Sequence, residues 1–157
     1  VTRTAIVPYE AAHGEIVAAR MRTIDRKEIY YTAMLTPHAA VGFTTAISVG
    51  KWTGLVDGEV AAVFGVARRS AVSTVGVPWL LSTDLIERAP VTVARQSRVY
   101  FDRIARAFPL MENHVLAENV VAVGWLKWLG FDMEEAKPFG AFGASFIRFG
   151  KGLDKCA

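Results

Sequence analysis

Asn119-Val120-Val121-Ala122-Val123-Gly124-Trp125-Leu126-Lys127-Trp128-Leu129-Gly130-Phe131 reads as one complete helix with its own start and stop. Asn119 can cap it by offering a side-chain oxygen to a free first-turn N–H. Val120, Val123, Trp125, Leu126 and Leu129 supply its apolar positions. Gly130 is placed to end it in the left-handed conformation, which glycine enters without a Cβ clash. Short strands are expected on either side, His114–Leu116 before it and Phe131–Glu135 after it. Ser145–Phe149 forms a last strand beyond a Pro/Gly/Phe-rich connection.

Working back toward the N-terminus, Val91–Phe108 carries Val91, Ala94, Val99, Phe101, Ile104, Ala105 and Phe108 with arginines between them. That is the pattern of an amphipathic helix, stopped by Pro109. Val75–Ser82 is apolar almost throughout, as a strand buried on both faces at the centre of a sheet would be. Lys51–Val56 and Val60–Ala67 flank Asp57-Gly58, a dipeptide suited to the positive φ angles of a type I′ hairpin turn. Thr36-Pro37 starts a helix to about Ala46, with Thr as cap and Pro in the first turn. Ala11–Tyr31 reads as helical, with Ile16, Val17, Arg20 and Ile24 at helix spacing and a new turn capped by Asp25. Its Arg20, Arg22, Arg26 and Lys27 are expected on the solvent side. Ala5–Tyr9 is a first strand. The order is β-α-α-β-β-β-α-β-α-β-β: an α/β (α+β) mixed sheet with helices on its faces.

The 157 residues suit a single domain, 1–157, with 52% hydrophobic residues for its core and 21% charged. Mean hydropathy is +0.28, yet no apolar run reaches the roughly 18 residues that cross a bilayer. No basic-then-apolar leader opens the sequence at Val1, so the expected location is cytoplasmic. Cys156 is the only cysteine, which leaves no intrachain disulfide and no cysteine metal site. Net charge of +3 suits an anionic partner such as a nucleotide cofactor. Three scattered histidines show no metal-ligand spacing, and no Ser/His/Asp set or P-loop is present. The arginines Arg88, Arg95, Arg98, Arg103 and Arg106 lack an aromatic stacking platform, so nucleic acid is not the expected partner.

The element order and the Asn119–Phe131 stretch resemble the GNAT (acyl-CoA N-acyltransferase) superfamily. A narrower resemblance, to GNAT-like tailed-bacteriophage proteins of the T7-like internal virion protein A group, rests on several blocks. They are Pro78–Asp84, Arg95–Arg98, Asn113–Val115, Trp125–Phe131 and Pro138–Gly143. The resemblance implies an acetyl-CoA-dependent N-acetyltransferase in which an amine, on a small molecule or a protein, attacks the thioester directly. It also implies an alternative: a catalytically degenerate virion or host-interaction protein, in the host cytoplasm or the particle.

By the same resemblance, the thioester arm lies beside the fourth strand, where backbone groups near Leu80, Leu81 and Ser82 hold it and polarise its carbonyl. Asn119 contacts the arm, although its capping role alone would explain it. The diphosphate belongs at the next helix N-terminus, on a glycine-rich turn. Here Ser82–Arg98 contains no glycine and carries Asp84 and Glu87, with Arg88 available as a cation. Leu126 stands where the family often has a tyrosine acid. His114, Glu118 and Asp84 are the base candidates, with Glu112 beside them. Among Phe139, Phe142, Phe146 and Phe149, some fill the core, or remain exposed as a contact with a partner or in a homodimer.

Overall fold

The structure is a computed structural model, which describes residues 1–152. Seven strands form one mixed sheet in the order β1-β2-β3-β4-β5-β7-β6. In chain order the strands are β1 (Thr4–Pro8), β2 (Ser48–Val56), β3 (Glu59–Arg68) and β4 (Val75–Ser82), then β5 (Leu110–Leu116), β6 (Asp132–Phe139) and β7 (Ala144–Lys151). The helices are α1 (Ala11–Arg20), α2 (Thr23–Ala33), α3 (Pro37–Ala46), α4 (Pro90–Ala105) and α5 (Val120–Trp128), with a 3-10 turn at Asp84–Arg88. The mixed α/β architecture is the one expected. Cys156 lies outside the described residues.

Local chemistry accounts for most boundaries. The Thr36 side chain accepts from Ala39 N–H and Pro37 opens α3. The β2–β3 hairpin turns on Asp57 and Gly58, both at positive φ (51° and 81°), as a type I′ turn requires. Gly130 leaves α5 at φ 87°. Two cores flank the sheet. Val17, Ala18 and Met21 of the first helical region pack with Val41, Val63 and Leu81 on one face. Phe64, Phe101, Leu126, Leu129, Phe131 and Phe149 pack together on the other.

The expected continuous helix over Ala11–Tyr31 is instead two, so three helices precede β2. Met21 and Arg22 leave helical geometry (ψ 138° and 144°) because Arg22 N–H pairs with Ser82 C=O at 2.9 Å. The Arg26 guanidinium then covers the carbonyls freed at the end of α1, donating from Nε to Met21 C=O at 2.9 Å. Arg22, expected in solvent, is 4% exposed. Asp25 sits inside the first turn of α2 and is buried rather than capping it. Val91, Val99 and Val120, expected to face inward, are exposed, since their helices bury only a narrow stripe. Phe146 and Phe149 fill the core while Phe142 is exposed against Tyr30, their rings 5.3 Å apart.

The order of strands places β4 beside β5 as the sheet's parallel pair, and that pair is short. Only Val75–Leu110 and Gly76–Met111 are in register; beyond them the strands part.

Gly130→Ala tests the exit of α5. A Cβ there would meet open space, so the cost is conformational alone. Urea unfolding should show a loss of about 1 kcal/mol. A neutral result would mean that the positive φ does not constrain the fold.

Candidate functional site

The parted strands create a backbone accounting problem, because buried N–H and C=O groups need partners. Thr83 N–H pairs with Ala61 C=O of β3, and the β3–β4 register fixes the alternation from there. Residues 77, 79, 81 and 83 face β3, whereas Pro78, Leu80 and Ser82 turn their backbone groups to the gap. Pro78 has no N–H to satisfy, and its C=O accepts from Asn113 Nδ2 at 2.8 Å. Asn113 Oδ1 in turn accepts from His114 N–H at 2.8 Å, so one side-chain amide bridges both strands. At the far end, Ser82 N–H donates to Asp25 at 3.1 Å and Ser82 C=O accepts from Arg22 N–H. On β5, Leu116 N–H donates to the Glu28 carboxyl. Leu80 alone in this series has both its N–H and its C=O aimed at the gap without a protein partner among the described residues.

A buried ionic network closes the C-terminal end of the gap. Arg22 donates to Asp25 from Nε at 3.1 Å and from Nη2 at 2.9 Å, a two-pronged pair at 4% and 1% exposure. Asp25 also accepts from Ser82 N–H, from Ser82 Oγ at 2.7 Å and from Asn119 Nδ2 at 3.2 Å. Arg22 reaches Ser82 Oγ at 2.9 Å and Asn119 Oδ1 at 3.4 Å. The same Asn119 oxygen accepts from Ala122 N–H at 3.4 Å, so the helix cap is also a member of the network. Charges buried this deeply are tolerated because both Asp25 oxygens are hydrogen-bonded and the remaining Arg22 nitrogen, Nη1, meets the Glu87 carboxylate at 3.6 Å.

The gap opens into a cavity of about 290 Å³ that passes through the sheet. Residues of α2 and α3 wall it on one face, and Phe101, Ala122, Trp125 and Leu126 on the other. Of the residues singled out in the sequence, Leu80, Leu81, His114 and Asn119 line it. Ser82 lies beside it, on a smaller pocket with Arg22 and Trp125. Asp84 and Arg88 are exposed on the 3-10 turn, and Glu118 is exposed and ion-paired with Lys27 at 2.8 Å; none of the three lines the cavity. Glu112 is held by Arg69 at 2.8 Å and by Arg148. Burial raises the Glu112 carboxyl's pKa, but those two guanidiniums outweigh it and hold the value below the ordinary one.

His114 stacks on Phe139, ring centres 3.8 Å apart and nearly parallel. Burial, and then the nearby Arg148 charge, push its pKa down, so the imidazole is neutral near pH 7. Sequence reasoning missed Glu28. Burial raises its pKa to about 7, against the opposing hydrogen bond from Leu116 N–H, with the Asp25 charge adding to the rise. Asp25 and Glu28, three residues apart in α2, share a helix face, a signal present in the sequence. Pro78 inside an apolar strand was another, since proline belongs where no ladder partner waits.

The turn where the resemblance places a diphosphate departs from that expectation. Thr83 caps the 3-10 turn by accepting from Leu85 N–H, and the turn carries Asp84 and Glu87. Ala89 N–H is bonded to Ile86 C=O, and Pro90, first in α4, has no N–H. The helix terminus therefore offers few free donors and adjoining negative charge. Among the described residues no His, Cys, Asp and Glu grouping could hold a metal ion, and no helix is long and apolar enough to cross a membrane.

This fold is shared with solved acetyltransferases. An acetyltransferase of the GNAT family from Streptococcus pneumoniae superposes with a TM-score of 0.60 at 14% identity, covering 95% of this chain and 98% of that one. The ribosomal-protein-S18-alanine N-acetyltransferase from Escherichia coli gives 0.64 at 12% identity, over 95% and 93% of the two chains. A Salmonella typhimurium protein solved with its cofactor acetyl-CoA gives 0.63 at 12% identity, over 94% and 91%. No protein-family model matches the sequence, and no curated protein does. At these identities the likeness is one of fold.

Two substitutions test the site. Asn119→Asp keeps a good helix cap but replaces the Nδ2 donor with an oxygen facing Asp25. It should cost about 2 kcal/mol or more in urea unfolding, where a simple cap would lose little; a neutral result would remove Asn119 from the network. Glu28→Gln keeps an acceptor for Leu116. Because the folded-state pKa is raised from 4.5 to about 7, the wild-type contribution is complete below the lower value and lost as pH rises through the upper one. Between acid and mildly alkaline pH, wild type should lose on the order of 2 kcal/mol relative to the variant. Parallel pH–stability curves would contradict the shift.

Proposed function

We propose that this chain is an N-acyltransferase that moves an acyl group from the sulfur of a pantetheine thioester, as in acetyl-CoA, to an amine nitrogen. The observation that carries this reading is the open backbone of Leu80 at a break in the sheet beside β5. An extended amide-containing arm satisfies such an edge as a missing strand would. The bound thioester supplies the activated acyl group; one carbon–sulfur bond breaks, one carbon–nitrogen bond forms, and the sulfur leaves as a thiolate that takes a proton from solvent on release, so amide and free thiol are the products.

The protein's own part is to hold and to move protons. Leu80 N–H and C=O would hold the arm. Glu28, with a pKa near working pH, takes the proton that the attacking amine gives up. His114 is neutral and adds no charge that would repel an ammonium. Leu126 and Trp125 surround the leaving-group side with apolar surface and exclude water. Arg22, Asp25 and Asn119 act as positioning residues, because they fix the ends of β4 and α5 on either side of the gap.

The fit is uneven. The arm end of the cleft suits the donor, whereas the Asp84–Pro90 segment does not offer the glycine-rich amide nest that suits a diphosphate. That observation favours a second reading, a catalytically silent domain of this fold; a virion or host-interaction role for it rests on the sequence resemblance alone. On the first reading the arm dominates recognition, and affinity for acetyl-CoA is modest.

Acetyl-CoA at millimolar concentration should raise the Tm of the protein by mass action and release free thiol in the presence of an acceptor amine. Leu80→Pro deletes an N–H that faces away from β3, so no ladder bond is lost; it should weaken acetyl-CoA binding about tenfold or more while the fold persists. Absence of any Tm shift in wild type would leave the silent-domain reading in its place. Equal binding by the variant would show that the arm does not use this edge.

A further inference from the structure

We infer that the acceptor is a small monoamine with an apolar, neutral body, bound on the α2–α3 side of the cavity with its nitrogen at Glu28. This rests on the acyltransferase reading and deepens it.

The wall on that side is built from Ile29, Leu35, Phe43, Ile47, Val77 and Trp79. Phe43 and Ile47 are 59% and 38% exposed while also lining the cavity, which places them at its mouth. The polar groups of this wall are spoken for apart from the Thr44 hydroxyl. Trp79 Nε1–H donates to Ser48 Oγ at 2.7 Å, leaving its ring as apolar surface. Thr32 Oγ1 donates to Glu28 C=O at 2.7 Å. The Asn113 amide is used at both ends by Pro78 and His114.

Charge complementarity narrows the class further. No lysine or arginine lines the cavity among the described residues, so nothing there would pair with a carboxylate or phosphate on the acceptor. That disfavours free amino acids. Two carboxyls line it, and Asp25 is consumed by five donors, two of them from Arg22. Glu28 is left as the single carboxyl able to meet one ammonium. A polyamine would bury further charges against Ile29, Leu35 and Trp79 with no partner, a large desolvation cost. Peptide termini and extended side chains would have to bring polar backbone into the same apolar wall.

Isothermal titration of the whole chain without any thioester tests this. Tryptamine and 2-phenylethylamine should bind at least tenfold more tightly than spermidine, lysine or phenylalanine. Glu28→Gln should weaken binding of tryptamine and 2-phenylethylamine tenfold or more, while binding of the uncharged analogue 2-phenylethanol stays the same in both proteins, which reports that the cavity is intact. Tighter binding of spermidine or of the amino acids would overturn the inference, as would no amine binding at all. The two readings separate cleanly. Amine binding without acetyl-CoA binding sinks the transferase and keeps the amine site; thiol release with spermidine but not with tryptamine does the reverse.

Discussion

Two parallel strands that share a ladder for two residues and then diverge leave buried backbone groups with no neighbour. Satisfying those groups is the constraint on which the rest of the structure depends. An unpaired buried amide or carbonyl costs about 1–3 kcal/mol, so a gap of several residues would cancel much of a small domain's stability. The protein meets this by three devices along one line. Proline removes a donor at position 78, a side-chain amide at Asn113 replaces ladder bonds, and the first two turns of α2 bring the Asp25 and Glu28 carboxyls to Ser82 and Leu116.

That third device explains the break between α1 and α2. A continuous helix would carry Arg22 N–H into an intrahelical bond. Instead it pairs with Ser82 C=O, and the turn places Asp25 where Arg22, Ser82 and Asn119 converge. Three stretches far apart in sequence are tied at one point: the α1–α2 junction, the end of β4 with the 3-10 turn that follows it through Glu87, and the start of α5. The network holds the cleft open by bracing its ends. It also occupies the gap-facing groups of Ser82, which concentrates the free edge of β4 at Leu80. Recognition of any arm in the cleft is accordingly narrow, and the acidic 3-10 turn adds no anion grip beyond it.

Individual residues show how far the site could be read before the fold was known. Leu80, Leu81 and Asn119, singled out by resemblance, and His114, singled out by its chemistry, line the cavity; pattern and turn chemistry placed only the strands and the α5 cap that carry them. Asp84, Arg88 and Glu118 carried suitable chemistry but sit on exposed turns, and exposure at a turn is not written in residue type. Glu28 looked like an ordinary acid on an amphipathic helix. Its pKa is raised by burial and by the Asp25 charge, against the opposing hydrogen bond from Leu116, which lies 88 positions away in sequence, and the opposing Arg22 charge. Pro78 was the clearest overlooked sign, because proline within a buried strand already announces a missing partner.

By itself the sequence determined what short-range physics decides. Apolar periodicity set the strands and most helices, Asp57-Gly58 set the hairpin, and Thr36-Pro37, Asn119 and Gly130 set helix ends. These depend on steric and hydrogen-bonding preferences among near neighbours, which each stretch carries with it. Tertiary structure alone decided that β4 and β5 diverge, that Arg22 is buried, and that Glu28 faces a cavity. Those outcomes depend on which distant backbone groups are left unpaired once the sheet closes, and that is a property of the whole packing and of no single segment.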